Sequence, residues 1–102
     1  MGVIVITGGS RGIGASTAEL CARQGHGVIL TYNRNPDAAQ SVVQRIEADG
    51  GKAVALELDV ANVSTFAGFR VAVSQALDVT WGETHLSGLV NNAGYGLFNS
   101  LE

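Results

Sequence analysis

The clearest chemical signal is a glycine-rich segment from Thr7 to Gly14, which reads Thr-Gly-Gly-Ser-Arg-Gly-Ile-Gly. It lies between an apolar, β-branched run and a segment with helical spacing of apolar residues. Glycines there permit a tight turn and a close approach of a ligand to the backbone. Free N–H groups at the beginning of a helix, with the helix dipole, favour a diphosphate. A plain strand-to-helix turn would use the same glycines, but their placement favours binding. The residues predicted to contact the ligand are Gly8, Ser10, Arg11, Gly12, Ile13 and Gly14.

The elements that would position this loop alternate between strands and helices. Buried strands are predicted at Val3 to Thr7, Gly27 to Tyr32, Lys52 to Leu58 and Gly88 to Asn91. A first helix is predicted from the Gly12-Ile13-Gly14 segment to Gly25, with Ile13, Thr17, Leu20 and Cys21 as its apolar stripe. A second begins at Asn35-Pro36, buries Ala39, Val42, Val43 and Ile46, and ends at Gly50-Gly51. A third carries Phe66, Phe69, Val73 and Leu77, and Trp81 to Ser87 is predicted to be a loop.

This βαβαβαβ order predicts an α/β fold, a Rossmann-type doubly wound parallel sheet with helices on both faces. Ligands of such sheets bind beyond the carboxyl ends of the strands. The residues that follow Thr7, Tyr32, Leu58 and Asn91 are therefore the candidates for a site.

Composition narrows the class of protein. The 102 residues suit one domain or part of one, and 14 glycines are about twice the average usage. A net charge of −3 with scattered basic residues argues against a nucleic-acid partner. No apolar run reaches the length of a membrane span, and no signal peptide is recognisable. The single cysteine, Cys21, suits a reducing cytoplasm.

Three linked motifs resemble those of the short-chain dehydrogenase/reductase family. They are the glycine segment Thr7 to Gly14, Asp59-Val60 after the third strand, and Asn91-Asn92-Ala93-Gly94 at the end of the fourth. The similarity runs over essentially the whole chain and extends to ketoacyl-carrier-protein reductases and other carbonyl reductases. It implies that the glycine segment binds a nicotinamide dinucleotide.

The resemblance also implies roles for the other two motifs. Asp59, with Val60 beside it, would contact the edge of the adenine. Asn91, Ala93 and Gly94 would lie beneath the adenosine ribose and brace the central strands. Taken alone, Asp59 would more simply be a solvated loop or helix-capping carboxylate.

Charge at the end of the second strand indicates which dinucleotide binds. A ribose 2′-hydroxyl is usually held by an acidic side chain there, but this chain reads Tyr32-Asn33-Arg34-Asn35. A guanidinium can bind a 2′-phosphate with two hydrogen bonds. By resemblance, Arg11 could approach the same phosphate. We therefore predict contacts from Asn33 and Arg34 and a preference for NADP(H) over NAD(H).

The catalytic residues that the resemblance implies are not found among these 102 residues. Family members use a tyrosine, a lysine four residues later and a serine. Here Tyr32 and Tyr95 are followed at that spacing by Pro36 and Asn99, and Lys52 is the only lysine. Ser100 follows the Asn91 motif too closely to be the family serine. His26 and His85 lack the spacing of metal ligands. No catalytic or metal-binding residue is assigned.

Two classes of function remain open. The first is the cofactor-binding half of an NADP(H)-dependent oxidoreductase that acts on a small carbonyl or alcohol substrate, with residues 1-102 as the first part of a single-domain fold and a homo-oligomer as the expected assembly. The second is a non-catalytic dinucleotide-binding or protein-interaction module. A methyltransferase is a weaker choice, because the acid expected after strand two is absent. With the fourth strand unpaired on one side, the 102 residues alone are expected to be marginally stable or self-associating.

Overall fold

The computed structural model describes residues 2–8, 12–59 and 62–91. Within these ranges, strands β1 (Val3–Thr7), β2 (Gly27–Tyr32), β3 (Ala53–Glu57) and β4 (Gly88–Asn91) alternate with helices α1 (Gly12–Arg23), α2 (Pro36–Ala48) and α3 (Phe66–Ala76). A short 3₁₀ turn at Val63–Thr65 precedes α3. The predicted βαβαβαβ order is confirmed.

The four strands form one parallel sheet in the order β3-β2-β1-β4. The chain moves outward from β1 to β3 and then returns to the other side of β1. This reversal creates a topological switch point between β1 and β4, where sheets of this kind bind ligands. The predicted doubly wound α/β fold is therefore confirmed, and β4 is an edge strand among the described residues.

Helices cover both faces of the sheet. On one face, α1 and α2 pack on Ile6, Val28 and Leu30. On the other, Val73 and Leu77 pack on Val3, Val5 and Ile29. Strand β2 is buried on both faces, which explains its uninterrupted apolar sequence. No described helix has the length and apolar character needed to cross a bilayer.

Helix α2 follows its sequence signals closely. The Asn35 side-chain oxygen accepts a hydrogen bond from the Ala38 amide at 3.1 Å, and Pro36 occupies the first turn. All four residues of its predicted apolar stripe are buried. Gly50, with φ of +89°, lies just past the end of the helix.

The predicted apolar face of α1 is wrong at Ile13 and Leu20 and holds at Cys21, which packs partly against the core. Ile13 is 78% exposed and Leu20 is 54% exposed, whereas Ala15 and Ala18 are buried. Cys21 and Ala22 pack partly against the core, so the buried face is rotated by about one residue from the predicted stripe. Alanines let the helix lie close to the sheet, and the larger side chains are left outside. Helix–sheet proximity therefore outweighed the hydrophobicity of Ile13 and Leu20.

The end of α3 also departs from prediction. Residues Leu77–Trp81 continue as a turn of π-helix, so Trp81 is helical and does not begin a loop. Its indole packs against the core beside Val73 and Leu77. It also lies against Gly27, where an added Cβ would collide with the ring. A tertiary contact thus extends the helix beyond its predicted end.

Strand β3 is one residue shorter at each end than predicted. Its two faces pack on different clusters: Ala53 and Ala55 pack on the side of Ile6, Val28 and Leu30, and Leu56 packs on the side of Val3, Val5 and Ile29. Leu58 is buried just beyond the strand, and its amide donates to the Tyr32 carbonyl at 2.8 Å.

Candidate dinucleotide-binding site

The loop after β1 contains two glycines in a left-handed backbone conformation. Gly8 has φ of +68° and Gly12 has φ of +59°. Side chains with a Cβ rarely adopt this region, so both positions favour glycine. An added Cβ at Gly12 would meet no atom of the described residues within 4 Å, so open space lies beside the start of α1 in the part of the chain that the structure describes. Ser10 and Arg11, which were also predicted to bind, lie outside the described residues.

The amino terminus of α1 suits a negatively charged ligand. The first N–H groups of a helix have no acceptor within it, and the helix dipole is positive at that end. The first turn holds no acidic residue that would compete for these groups. Ile13, the second residue of the helix, presents an exposed apolar side chain next to them. Gly14 is buried and allows close packing of the first turn. The site thus combines amide donors, open space and an apolar side chain.

Two threonines fix the place where the loop leaves the sheet. The Thr31 hydroxyl oxygen on β2 accepts a hydrogen bond from the Gly8 amide at 2.9 Å. The Thr7 hydroxyl donates to the Val90 carbonyl on β4 at 3.4 Å. Both side chains are buried at the carboxyl ends of their strands. Sequence reasoning missed Thr31, although a threonine inside an otherwise apolar strand was a visible signal.

The end of β2 carries the residues predicted to select the dinucleotide. Asn33 and Arg34 are exposed, and they leave the sheet at the same edge as the glycine loop because β1 and β2 are parallel. Within the described residues Arg34 forms no ion pair. Glu57 ends β3 and is in register with Tyr32, so it lies at the same carboxyl end of the sheet.

The remaining predicted residues follow β3 and β4. Asp59 lies just beyond β3, and its carbonyl accepts a hydrogen bond from the Asn62 amide at 3.1 Å. Asn91 ends β4 and is in register with Thr7 of β1, so these two motifs are brought side by side. Val60, Ala93 and Gly94 lie outside the described residues. Those predicted site residues that the structure describes therefore lie at the carboxyl ends of the four strands.

Several reactive residue types lie elsewhere. Arg23 pairs with Asp49 at 3.6 Å and Arg45 with Glu19 at 3.2 Å, both on the protein surface. Lys52 precedes β3 at the opposite edge of the sheet. His85 interacts with the Thr84 hydroxyl at 2.8 Å. The described ranges contain no cluster of side chains that could hold a metal ion.

Comparison with known proteins identifies the family. The sequence model of the short chain dehydrogenase family matches residues 2–102 of this chain. The chain belongs to this family. Among its relatives, the Escherichia coli K12 protein named "uncharacterized oxidoreductase YgfF" is 39% identical over 94 residues, which are 92% of this chain and 36% of that protein.

Solved structures of short-chain dehydrogenases have the same architecture. The promiscuous reductase LugOII, which catalyses keto-reduction at C1 during lugdunomycin biosynthesis, is 36% identical with a TM-score of 0.87 over 92% of this chain and 37% of its own. A metagenomic short-chain oxidoreductase in complex with NADP is 36% identical with a TM-score of 0.79, over 93% of this chain and 40% of its own. The chain therefore spans little more than a third of the length of these proteins.

Proposed function

We propose that this chain forms the cofactor-binding part of an NADP(H)-dependent short-chain oxidoreductase. The observation that carries the proposal is the amino terminus of α1, which opens beside two left-handed glycines at the switch point of the sheet. Family membership supports it, because the same loop position is filled by the family's glycine motif. The NADP complex of one structural neighbour gives further support.

The residues present fit a dinucleotide. The open space at Gly12 and the amides of the first turn, which have no acceptor within the helix, suit its diphosphate, and Gly8, Ser10, Ile13 and Gly14 are proposed as the other contacts in this segment. Asp59 and Val60 would contact the adenine. Asn91, Ala93 and Gly94 would line the floor beneath the ribose. When bound, the nicotinamide supplies the hydride chemistry, and the protein supplies binding and orientation.

The preference for a 2′-phosphate is proposed to come from Arg34 and Asn33, with Arg11 as a further contact that the family resemblance implies. Arg34 is exposed and has no ion-pair partner among the described residues, so its guanidinium is available to a phosphate. A hydrogen bond to a charged group is worth about 1.5 to 3 kcal/mol. Loss of that contact corresponds to roughly tenfold or more in affinity. No carboxylate occupies the two positions after β2, where one would repel the phosphate.

Affinity measurements test this assignment. NADPH and NADH are titrated into the full polypeptide that carries this sequence, and cofactor fluorescence is followed. We expect tighter binding of NADPH and a loss of about tenfold in NADPH affinity for Arg34→Ala, with little change for NADH. Arg70→Ala is the matched control, because Arg70 is also exposed and has no ion pair in the described part of the chain. Equal binding of both dinucleotides by the wild type would contradict the NADP(H) preference.

The substrate is proposed to be a small molecule that contains a carbonyl or alcohol carbon. The keto-reduction described for LugOII supports this class. The unpaired thiol of Cys21 supports action in a reducing compartment such as the cytoplasm. Assembly as a homo-oligomer remains a proposal that rests on family resemblance.

A further inference from the structure

We propose that Thr31 is a positioning residue for the glycine loop: its hydroxyl holds Gly8 and so presents the amides of α1 to the dinucleotide. This inference rests on the proposed function. Thr31 itself belongs to β2 and is not one of the residues expected to touch the cofactor.

The first support is the burial of the hydroxyl. Thr31 is 2% exposed in a strand whose preceding residues, Val28, Ile29 and Leu30, are apolar and fully buried. Burying a polar group is costly unless it is hydrogen-bonded. Valine has the same shape and would avoid that cost, so packing alone does not account for a threonine here. The hydroxyl has a partner in the Gly8 amide, at 2.9 Å and 23 residues away in sequence.

The second support is the place of this bond in the sheet. The register of β1 and β2 runs from Val3 opposite Gly27 to Ile6 opposite Leu30. Thr31 is the next residue along β2, so its side chain extends the link between the two strands past their last registered pair. Gly8 is also the residue at which the backbone turns into the left-handed region. The bond therefore acts where the chain leaves β1 and sets out toward α1.

The consequence for binding follows from the shortness of the loop. Gly12 begins α1 only four residues after Gly8, so we expect a displacement of Gly8 to move the first turn of the helix. The amides of that turn must converge on one phosphate position to bind it well. A loop that samples several positions must be ordered on binding, which weakens affinity without removing any contact in the bound state.

Three substitutions separate positioning from packing. Thr31→Val keeps the shape and removes the acceptor, whereas Thr31→Ser keeps the acceptor. Ile29→Val is the matched control, because Ile29 is fully buried on the same strand and faces the same side of the sheet. The readouts are the hydrogen-exchange rate of the Gly8 amide without dinucleotide, the dissociation constant for NADPH, and the melting temperature.

We expect the Gly8 amide to be protected in the wild type and to exchange about tenfold or more faster in Thr31→Val, with NADPH binding about tenfold weaker. Thr31→Ser should restore both values to within about threefold of the wild type. Ile29→Val should lower the melting temperature slightly and leave both values unchanged.

The contrary outcomes are distinct. A wild type that binds NADPH while Thr31→Val binds it equally well overturns the role of Thr31 alone. Rapid exchange of the Gly8 amide in the wild type also overturns the role of Thr31. This measurement does not depend on whether any variant folds. A loss of Gly8 protection in Ile29→Val as large as in Thr31→Val shows a general effect of stability and also overturns the role. A wild type that binds neither dinucleotide overturns the proposed function, and the Thr31 role with it.

Discussion

Gly12 is the residue at which a left-handed backbone conformation coincides with the proposed ligand space. Its left-handed φ makes the turn into α1, and the space beside it is open. A larger residue would therefore act twice, by straining the turn and by occupying room that the proposed diphosphate would need. Gly8 shares the backbone conformation, and its amide is already engaged by Thr31.

We predict that Gly12→Ala weakens NADPH binding by at least tenfold and lowers the free energy of unfolding by about 1 to 2 kcal/mol. The first effect comes from the methyl group in the ligand space, and the second from a left-handed conformation that alanine tolerates poorly. Fluorescence titration and chemical denaturation measure the two separately. Unchanged NADPH affinity in a folded Gly12→Ala variant would show that the ligand does not use this space.

At the scale of elements, each helix obeys a different balance of local and tertiary forces. Helix α2 has its cap, its proline and its apolar stripe in agreement, so its sequence sufficed to predict it. Helix α1 packs through alanines, and the sequence gives no local sign that small residues would win over Ile13 and Leu20. Helix α3 continues as a turn of π-helix because Trp81 packs against Gly27 and the core. Which face of a helix is buried, and where the helix ends, therefore depend on the surface against which it packs.

Gly68 lies within α3, and its substitution tests the effect of helix propensity on stability. An added Cβ there would meet no atom of the described residues within 4 Å, and its backbone is helical. We expect Gly68→Ala to raise the free energy of unfolding by about 0.5 to 1 kcal/mol, because alanine is the better helix former. Urea denaturation measures this. NADPH affinity should stay as in the wild type, which makes this variant the glycine-to-alanine control for Gly12→Ala. Destabilisation would mean that α3 uses this glycine for a contact.

At the scale of the whole molecule, the site is shared between elements that are distant in sequence. The loop after β1, the turn after β2, Asp59 after β3 and the end of β4 all meet at one edge because the strands are parallel. A ligand bound there would link these elements and stabilise the folded state as a unit.

Dinucleotide binding should therefore raise the melting temperature of the full polypeptide. A ligand at one hundred times its dissociation constant adds about 2.7 kcal/mol to the free energy of unfolding. We expect a rise of several degrees with NADPH and a smaller one with the same concentration of NADH, as measured by differential scanning calorimetry. In Arg34→Ala the two shifts should become similar. Equal shifts in the wild type would contradict selection by the 2′-phosphate.

The sequence by itself determined the strand and helix order, the parallel sheet, the family and the location of the candidate site. These follow from local signals such as strand hydrophobicity, helix punctuation and glycine spacing, which operate over a few residues. Only the tertiary structure decided which face of α1 is buried, how far the helix after Thr65 extends and which side chain holds Gly8. Each of these depends on contacts between distant segments, such as Thr31 with Gly8 or Trp81 with Gly27. The pattern within any one segment does not specify the shape of the surface that it meets.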